Sequence, residues 1–377
     1  MRFPLNKLLT AALALAAANG FAQDATVVRI AHVGPVSGSQ AHFGKDNENG
    51  VRMAIDDLNA RHLVIGGKSV KFEIVAEDDG ADPRQGTAVA QKLCDMKVNG
   101  IVGHFNSGTT IPASKIYADC GIPHISPGAS NPKLTQNGYK TTFRDIANDN
   151  SLGAGLALYA AKGLGLKTVA VVDDRTAYGQ GVAEVFRKVA LESGMKVVDT
   201  QYTSDHASDF MAILTSIKAK NPDAIFYGGM DSQAGPMVRQ IDQLGMKNVR
   251  FFGGDGLCTA KLVELSGNAK AADQVVCAEA GKVLDKVPAF IAWKARYDAA
   301  HPGEFQLYSP YAYDAAMLLA DAMVRANSVD PKVYLPALAA ADYQGITSRV
   351  QFDQFGDLKT PAMTLYRFKD GKKTPLN

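Results

Sequence analysis

Short apolar runs alternate with amphipathic stretches of helical period along most of the chain. The first run, 27–33, predicts a strand, and the Gly- and Ser-containing stretch 34–44 predicts a loop. A helix is expected over 47–60, with Val51, Met53, Ala54 and Leu58 on one face. The next strand, 70–76, ends in Glu77, Asp78 and Asp79. Asp82 followed by Pro83 then reads as an N-cap and first helical residue, with the helix running to about Met96. After 141–144, a further strand, a second series follows. Helices are expected over 152–162, 181–193, 209–219 and 232–244, and strands over 168–172, 196–202, 224–227 and 249–253. From about Val287 to Ala341 the pattern turns helix-rich, and short strands close the chain near 349–352 and 363–368. Repeated βα units require mostly parallel sheets covered on both faces, and two successive series predict two such sheets. The fold class is therefore α/β.

The stretch from Gly100 to Pro132 carries the strongest local signal. Ile101 to Phe105 reads as a buried parallel strand, followed by the polar turn Asn106 to Thr110 and a helix with Pro112 in its first turn. A second strand, 123–125, ends in the small-residue loop 126–130. Loops at the carboxyl ends of adjacent parallel strands lie side by side, and ligands bind there. Ser107 and Ser130 can offer hydroxyls, and a helix N-terminus favours an anion. These loops suit a small carboxylate and lack the glycine spacing of a nucleotide site.

Residues 1–22 change the picture of where the protein works. Arg2 and Lys7 precede a short apolar core over 8–18, and Gly20-Phe21-Ala22 has the small-x-small form of a cleavage site. This is the expected form of a secretory signal peptide, with no Cys at the cleavage point for a lipid anchor. No other run approaches the roughly 20 apolar residues of a membrane helix, so a soluble exported protein is expected, in the periplasm. Of 40 basic and 38 acidic residues the signal holds two basic ones, leaving 38 − 38 = 0. A neutral chain argues against nucleic acid and anionic membrane surfaces. The remaining 377 − 22 = 355 residues imply two domains. Cys94, Cys120, Cys258 and Cys277 allow three pairings. Pairing Cys94 with Cys120 and Cys258 with Cys277 is expected because each then falls within one lobe, the alternative being buried thiols.

Enzyme signals are weak. Gly38 to Lys45 imitates a phosphate loop, but it is one residue too long and Asp46 replaces the required Ser or Thr. There is no G-x-S-x-G elbow and no H-E-x-x-H. The seven His residues are scattered, and His104 is the one nearest the organising loop. No catalytic residue, metal or cofactor is expected.

Several motifs occur in a telling order: Gly34-Pro-Val-Ser-Gly, Glu77-Asp78-Asp79, Gly103-His104 with Ser107, Ile125-Ser126-Pro127, Tyr178-Gly179, Tyr227-Gly228-Gly229 and Tyr311-Ala-Tyr313-Asp314. Together, over essentially the whole mature chain, they resemble the periplasmic leucine/isoleucine/valine-binding proteins, the type I solute-binding components of branched-chain amino-acid ABC transporters. The resemblance implies a Venus flytrap: two Rossmann-like lobes, a three-crossover hinge and a ligand closed between them. It places 23–148 plus 279–358 in the first lobe and 149–278 plus 359–377 in the second. It implies that Ser107 and the Ser130 N–H hold a ligand carboxylate. The Ser130 hydroxyl, the Gly128 carbonyl and Asp255 would face the ammonium, and Phe43, Tyr178, Met230 and Tyr311 would line the side-chain wall. The chain departs from the pattern at Ala81 and Asn106, where the family usually has a disulfide, at Asp255 in place of Glu, and at Met230 in place of an aromatic. The implied partners are a small amino acid and a membrane permease, and a monomer is expected. The alternatives are a binder of another solute (an aromatic acid, an amide or urea), an exported hydrolase using a Ser near 107, or a sensory ectodomain, which would need a membrane segment.

Overall fold

The computed structural model describes residues 25–376, so the signal peptide expected over 1–22 lies outside the described residues. The first series comprises β1 (Thr26–Gly34), α1 (Ala41–Ala60), β2 (Val64–Ile65), β3 (Lys68–Asp78), α2 (Pro83–Asp95), β4 (Gly100–Gly103), α3 (Ser107–Cys120), β5 (His124–Ser126), α4 (Lys133–Gln136) and β6 (Thr142–Arg144). They form a sheet ordered β2-β3-β1-β4-β5-β6, parallel except for the β2–β3 pair. The second series comprises α5 (Asp149–Leu158), which runs into a π turn at Tyr159–Gly163, then β7 (Thr168–Asp173), α6 (Ala177–Glu192), β8 (Lys196–Tyr202) and α7 (Met211–Ala219). It continues with β9 (Ala224–Gly228), α8 (Asp231–Gln243), β10 (Arg250–Gly253), α9 (Lys261–Leu265) and β11 (Val275–Glu279).

The chain then returns to the first sheet. In α10 (Pro288–Ala300), α11 (Ser309–Arg325) and α12 (Pro331–Ala339), Phe290, Trp293, Met317, Leu319 and Tyr334 share one core with Val28, Ile30 and Phe72 of the first sheet. A small hairpin follows, β12 (Tyr343–Gln344) with β13 (Arg349–Val350). Finally β14 (Thr364–Lys369) and β15 (Lys372–Pro375) add antiparallel strands to the edge of the second sheet. That sheet is ordered β15-β14-β11-β10-β9-β7-β8. The expected two-lobe α/β fold is therefore present, and the chain passes between the sheets three times, over 145–148, 280–287 and 351–363.

Two local expectations are corrected. The helix expected from 47 begins at Ala41, inside the stretch read as loop. Gly44 permits this, because a Cβ there would stand 2.1 Å from the Pro35 carbonyl oxygen. The helix thus seats directly on the preceding loop, a contact that periodicity does not register. Pro112 lies inside α3 rather than in its first turn, because α3 starts as early as Ser107. Both expected disulfides are formed, with Cα separations of 6.0 Å for Cys94–Cys120 and 5.4 Å for Cys258–Cys277.

Candidate functional site

The carboxyl end of β4 turns at Asn106 into α3. The Asn106 side chain does not cap that helix; its amide donates to Gln40 Oε1 at 2.7 Å. With no side chain turned onto the first turn, its leading N–H groups and positive dipole end face the cleft. Ser107, 1 % exposed, accepts from the Asn131 N–H at 3.2 Å and so joins the β4 loop to the β5 loop. The β5 loop is itself tightly held. Ser126 donates to the His104 carbonyl at 2.7 Å and accepts from the Ala129 N–H at 2.9 Å. The fully buried Arg144 donates to the Ala129 and Asn131 carbonyls, both at 2.9 Å, and its Nε donates to Asp357 at 2.9 Å. Gly128 has to be glycine in this packing, since a Cβ would stand 2.3 Å from the Phe105 ring.

Opposite these loops, the turn after β10 presents Asp255. Its Oδ1 accepts from the Tyr178 hydroxyl at 2.8 Å and the Gly256 N–H at 3.1 Å, while its Oδ2 has no partner among the described residues. Burial pushes this carboxyl up to about 6, and the Tyr178 and Tyr308 hydroxyls hold it from rising further. Gly256 allows the closure of the wall over it, because a Cβ would meet Met230 Sδ at 2.7 Å and the Tyr178 ring at 2.9 Å. Phe43 stacks on Phe105 with ring centroids 5.2 Å apart, and Tyr308 packs edge-on against both.

Ser107, Gly128, Ser130, Asp255, Tyr178, Phe43 and Met230 thus converge around one cleft. Tyr311 packs in the same apolar cluster, but its hydroxyl reaches Gly281 beside a small cavity of about 70 Å³ that Asp145 and Thr347 also line, where the chain crosses between sheets. Three residues earlier, at the N-cap of α11, Tyr308 occupies the place facing Asp255. His104 is structural, buried between Asp79 and the Tyr117 hydroxyl at 2.8 Å each. Asp46, read against a phosphate loop, instead accepts from the backbone N–H groups of Gln306, Leu307, Tyr308 and Ser309 and thereby sets the Tyr308 segment against α1.

Sequence reasoning missed Asp149 at the start of α5. It is fully buried, and neither carboxylate oxygen has a hydrogen-bond partner among the described residues. Burial first and the charge of Asp255 second push it up to about 8, while nearby Ser130 and Arg144 pull in the other direction. The Ser130 hydroxyl is also buried without a partner of good geometry. The only signal that could have marked Asp149 is its place at the start of α5, directly after the chain leaves the first sheet. Across the cleft the lobes touch: His42 Nε2 lies 3.0 Å from Asp231 Oδ2, and the Asn131 amide donates to the Ala177 carbonyl at 2.6 Å.

Residues 27–373 match the family model described as periplasmic binding protein. The chain is 31 % identical over 367 residues to a leucine-, isoleucine-, valine-, threonine- and alanine-binding protein of Pseudomonas aeruginosa, covering 97 % of this chain and 96 % of that one. A leucine binding protein from Thermotoga maritima superposes with a TM-score of 0.84 at 25 % identity, over 93 % of this chain and 98 % of that one. A branched-chain amino acid transporter substrate binding protein from Streptococcus pneumoniae, in complex with isoleucine, superposes with a TM-score of 0.82 at 26 % identity, over 93 % and 99 %.

Proposed function

This chain belongs to the periplasmic binding protein family, and on that premise we propose that it captures an aliphatic, branched-chain α-amino acid between its two lobes. It delivers the amino acid, outside the cytoplasm, to the permease of an ABC transporter. One observation carries the reading: Asp255 Oδ2, the Asp149 carboxylate and the Ser130 hydroxyl are buried together without partners, close to the uncapped N-terminus of α3. Buried acceptors left unpaired cost free energy, and a buried charge costs more. An α-ammonium beside an α-carboxylate relieves both sides at once. The ammonium meets the acceptors, and the carboxylate meets Ser107 and the helix N-terminus. Phe43, Phe105, Tyr178, Met230 and Tyr308 supply an apolar wall for the side chain.

In this reading the lobes are 23–148 plus 279–358 and 149–278 plus 359–377, the signal over 1–22 directs export, and the protein binds without catalysing, as a monomer. Calorimetry of leucine, isoleucine and valine on refolded, ligand-free protein tests it. Saturable binding of at least one of them is expected, and binding of none would overturn the assignment.

A further inference from the structure

Next to the head-group clamp, and sharing Tyr178 and Met230 with its wall, lies a cavity of about 370 Å³ between the lobes whose remaining lining is largely polar. An apolar side chain has no use for those polar groups. Asp174, 2 % exposed, closes an Asx turn just before α6: its Oδ1 accepts from the Thr176 N–H at 2.9 Å and the Thr176 hydroxyl at 2.6 Å. Its Oδ2 is buried with no partner among the described residues. The carboxylate is held at that place by design of the backbone, since a Cβ at Gly179 would stand 2.2 Å from Asp174 Oδ1. Across the same cavity Asn106, 8 % exposed, leaves its Oδ1 without a partner. Exposed Arg175 and half-buried Asp205 also line it, the guanidinium 3.6 Å over the Tyr202 ring and the Asp205 carboxylate 3.7 Å from His206 Nε2. This cavity therefore offers two buried unpartnered acceptors, with an exposed guanidinium and a half-buried carboxylate beside them.

Arg175 and Asp205 offset one another, so the two buried acceptors call for a neutral donor that can also accept from Arg175: a carboxamide. Resting on the amino-acid reading above, we infer that this cleft also takes α-amino acids whose side chain ends in a carboxamide. The amide N–H groups donate to Asp174 Oδ2 and Asn106, and the amide carbonyl accepts from Arg175. A purely apolar wall discriminates against such a group, because burying an amide without partners costs roughly 1–3 kcal/mol, about five- to 150-fold in affinity. A wall with matched partners removes that penalty.

Two near-isosteric pairs test this by calorimetry on ligand-free protein: leucine with asparagine, and methionine with glutamine. In the wild type at least one amide is expected to bind within tenfold of its apolar counterpart. Asp174→Asn keeps the Oδ1 that caps Thr176 but turns the other atom into a donor. It should weaken that amide by tenfold or more and leave the apolar counterpart within threefold. Tyr227→Phe is the control for an internal role, because the Tyr227 hydroxyl is also unpartnered and feels the Asp174 charge but does not line the cavity; it should leave all four affinities unchanged. Amides more than tenfold weaker in both wild-type pairs would overturn the inference while leaving the amino-acid reading intact. So would equal losses for both members of a pair in Asp174→Asn, or a Tyr227→Phe that copies it. No binding by any of the four, nor by isoleucine or valine, would overturn the amino-acid reading itself.

Discussion

Asp149 and Asp255 have the same chemistry but different standing in the site. Asp255 already has two donors on one oxygen and needs only one more. Asp149 has none. On the proposed reading, removing Asp255 strands a buried ammonium, so Asp255→Ala is expected to weaken leucine binding by about 2–5 kcal/mol in calorimetry. Ser107→Ala, losing one hydrogen bond to a charged group, should cost about 1–3 kcal/mol. Equal affinity in wild type and Asp255→Ala would remove that residue from the site. Asp149 also sets a pH dependence. With a folded value of about 8 against 3.8 for the free side chain, the native ligand-free protein binds the proton that the unfolded chain has lost. Stability therefore falls as pH rises toward 8. Buried His32 and His124, both lowered to about 4, act in the opposite direction, but only up to their ordinary 6.5. Between pH 6.5 and 8 the ligand-free protein should lose about 1–2 kcal/mol, and Asp149→Asn should flatten that slope. Denaturant titration at the two pH values reads it directly, and a slope unchanged in the variant would mean another group is responsible.

At the scale of elements, the site depends on two loops being held rather than on the helices behind them. Arg144 at the end of β6 ties the β5 loop to Asp357 in the third crossing, using one guanidinium for two backbone carbonyls and a carboxylate. Arg144→Met leaves those carbonyls and Asp357 Oδ1 without the guanidinium, while Asp357 Oδ2 keeps Thr135 and Asn148. It is expected to cost about 3–5 kcal/mol in denaturant unfolding, well beyond an ordinary surface substitution. A cost under 1 kcal/mol would show that the loop is held by its own packing. Gly256 makes the complementary point on the other lobe. A methyl there runs into Met230, Tyr178 and the Gly229 carbonyl oxygen at 3.1 Å, the last of which is backbone and cannot swing aside. Gly256→Ala should reduce leucine affinity tenfold or more with little loss of first-lobe stability. Calorimetry and unfolding together distinguish the two effects.

At the scale of the molecule, the clamp is divided. Ser107 and Ser130 come from the first series of elements, while Asp255, Tyr178 and Met230 come from the second. On the proposed reading each half meets only part of a zwitterion, so ligand would favour the arrangement in which the halves approach, by its differential affinity for that arrangement. His42 against Asp231 and Asn131 against Ala177 are contacts that only the approached lobes can make. Small-angle scattering should therefore show a smaller radius of gyration with saturating leucine than without it. Asp255→Ala should reduce that contraction as well as affinity, whereas Ser107→Ala should mainly weaken capture. A radius unchanged at saturation would count against closure as the mechanism.

The alternation of apolar runs and helical periods was enough to dictate two parallel sheets, because a parallel strand needs a crossover and a crossover needs a helix to cover the sheet. The Gly100 to Pro132 stretch was likewise legible, since small polar residues after a buried strand mark a loop at the sheet's ligand-binding edge. The ordered motifs then marked Ser107, Ser130 and Asp255 as facing one another. What no local pattern carries is the environment of a side chain. Asp149 reads as an ordinary first-turn acid until β5 and α6 close over it. Asp174 reads as an ordinary turn residue until the close approach of Gly179 seats its carboxylate and leaves Oδ2 buried without a partner. Tyr308 and Tyr311 lie less than one helical turn apart, and only the packing of α11 against α1 and the crossing segment decides which of them faces the cleft. Periodicity specifies which residues turn inward. Which of the buried polar atoms are left without partners, and so what the cleft can hold, is decided only when distant segments meet.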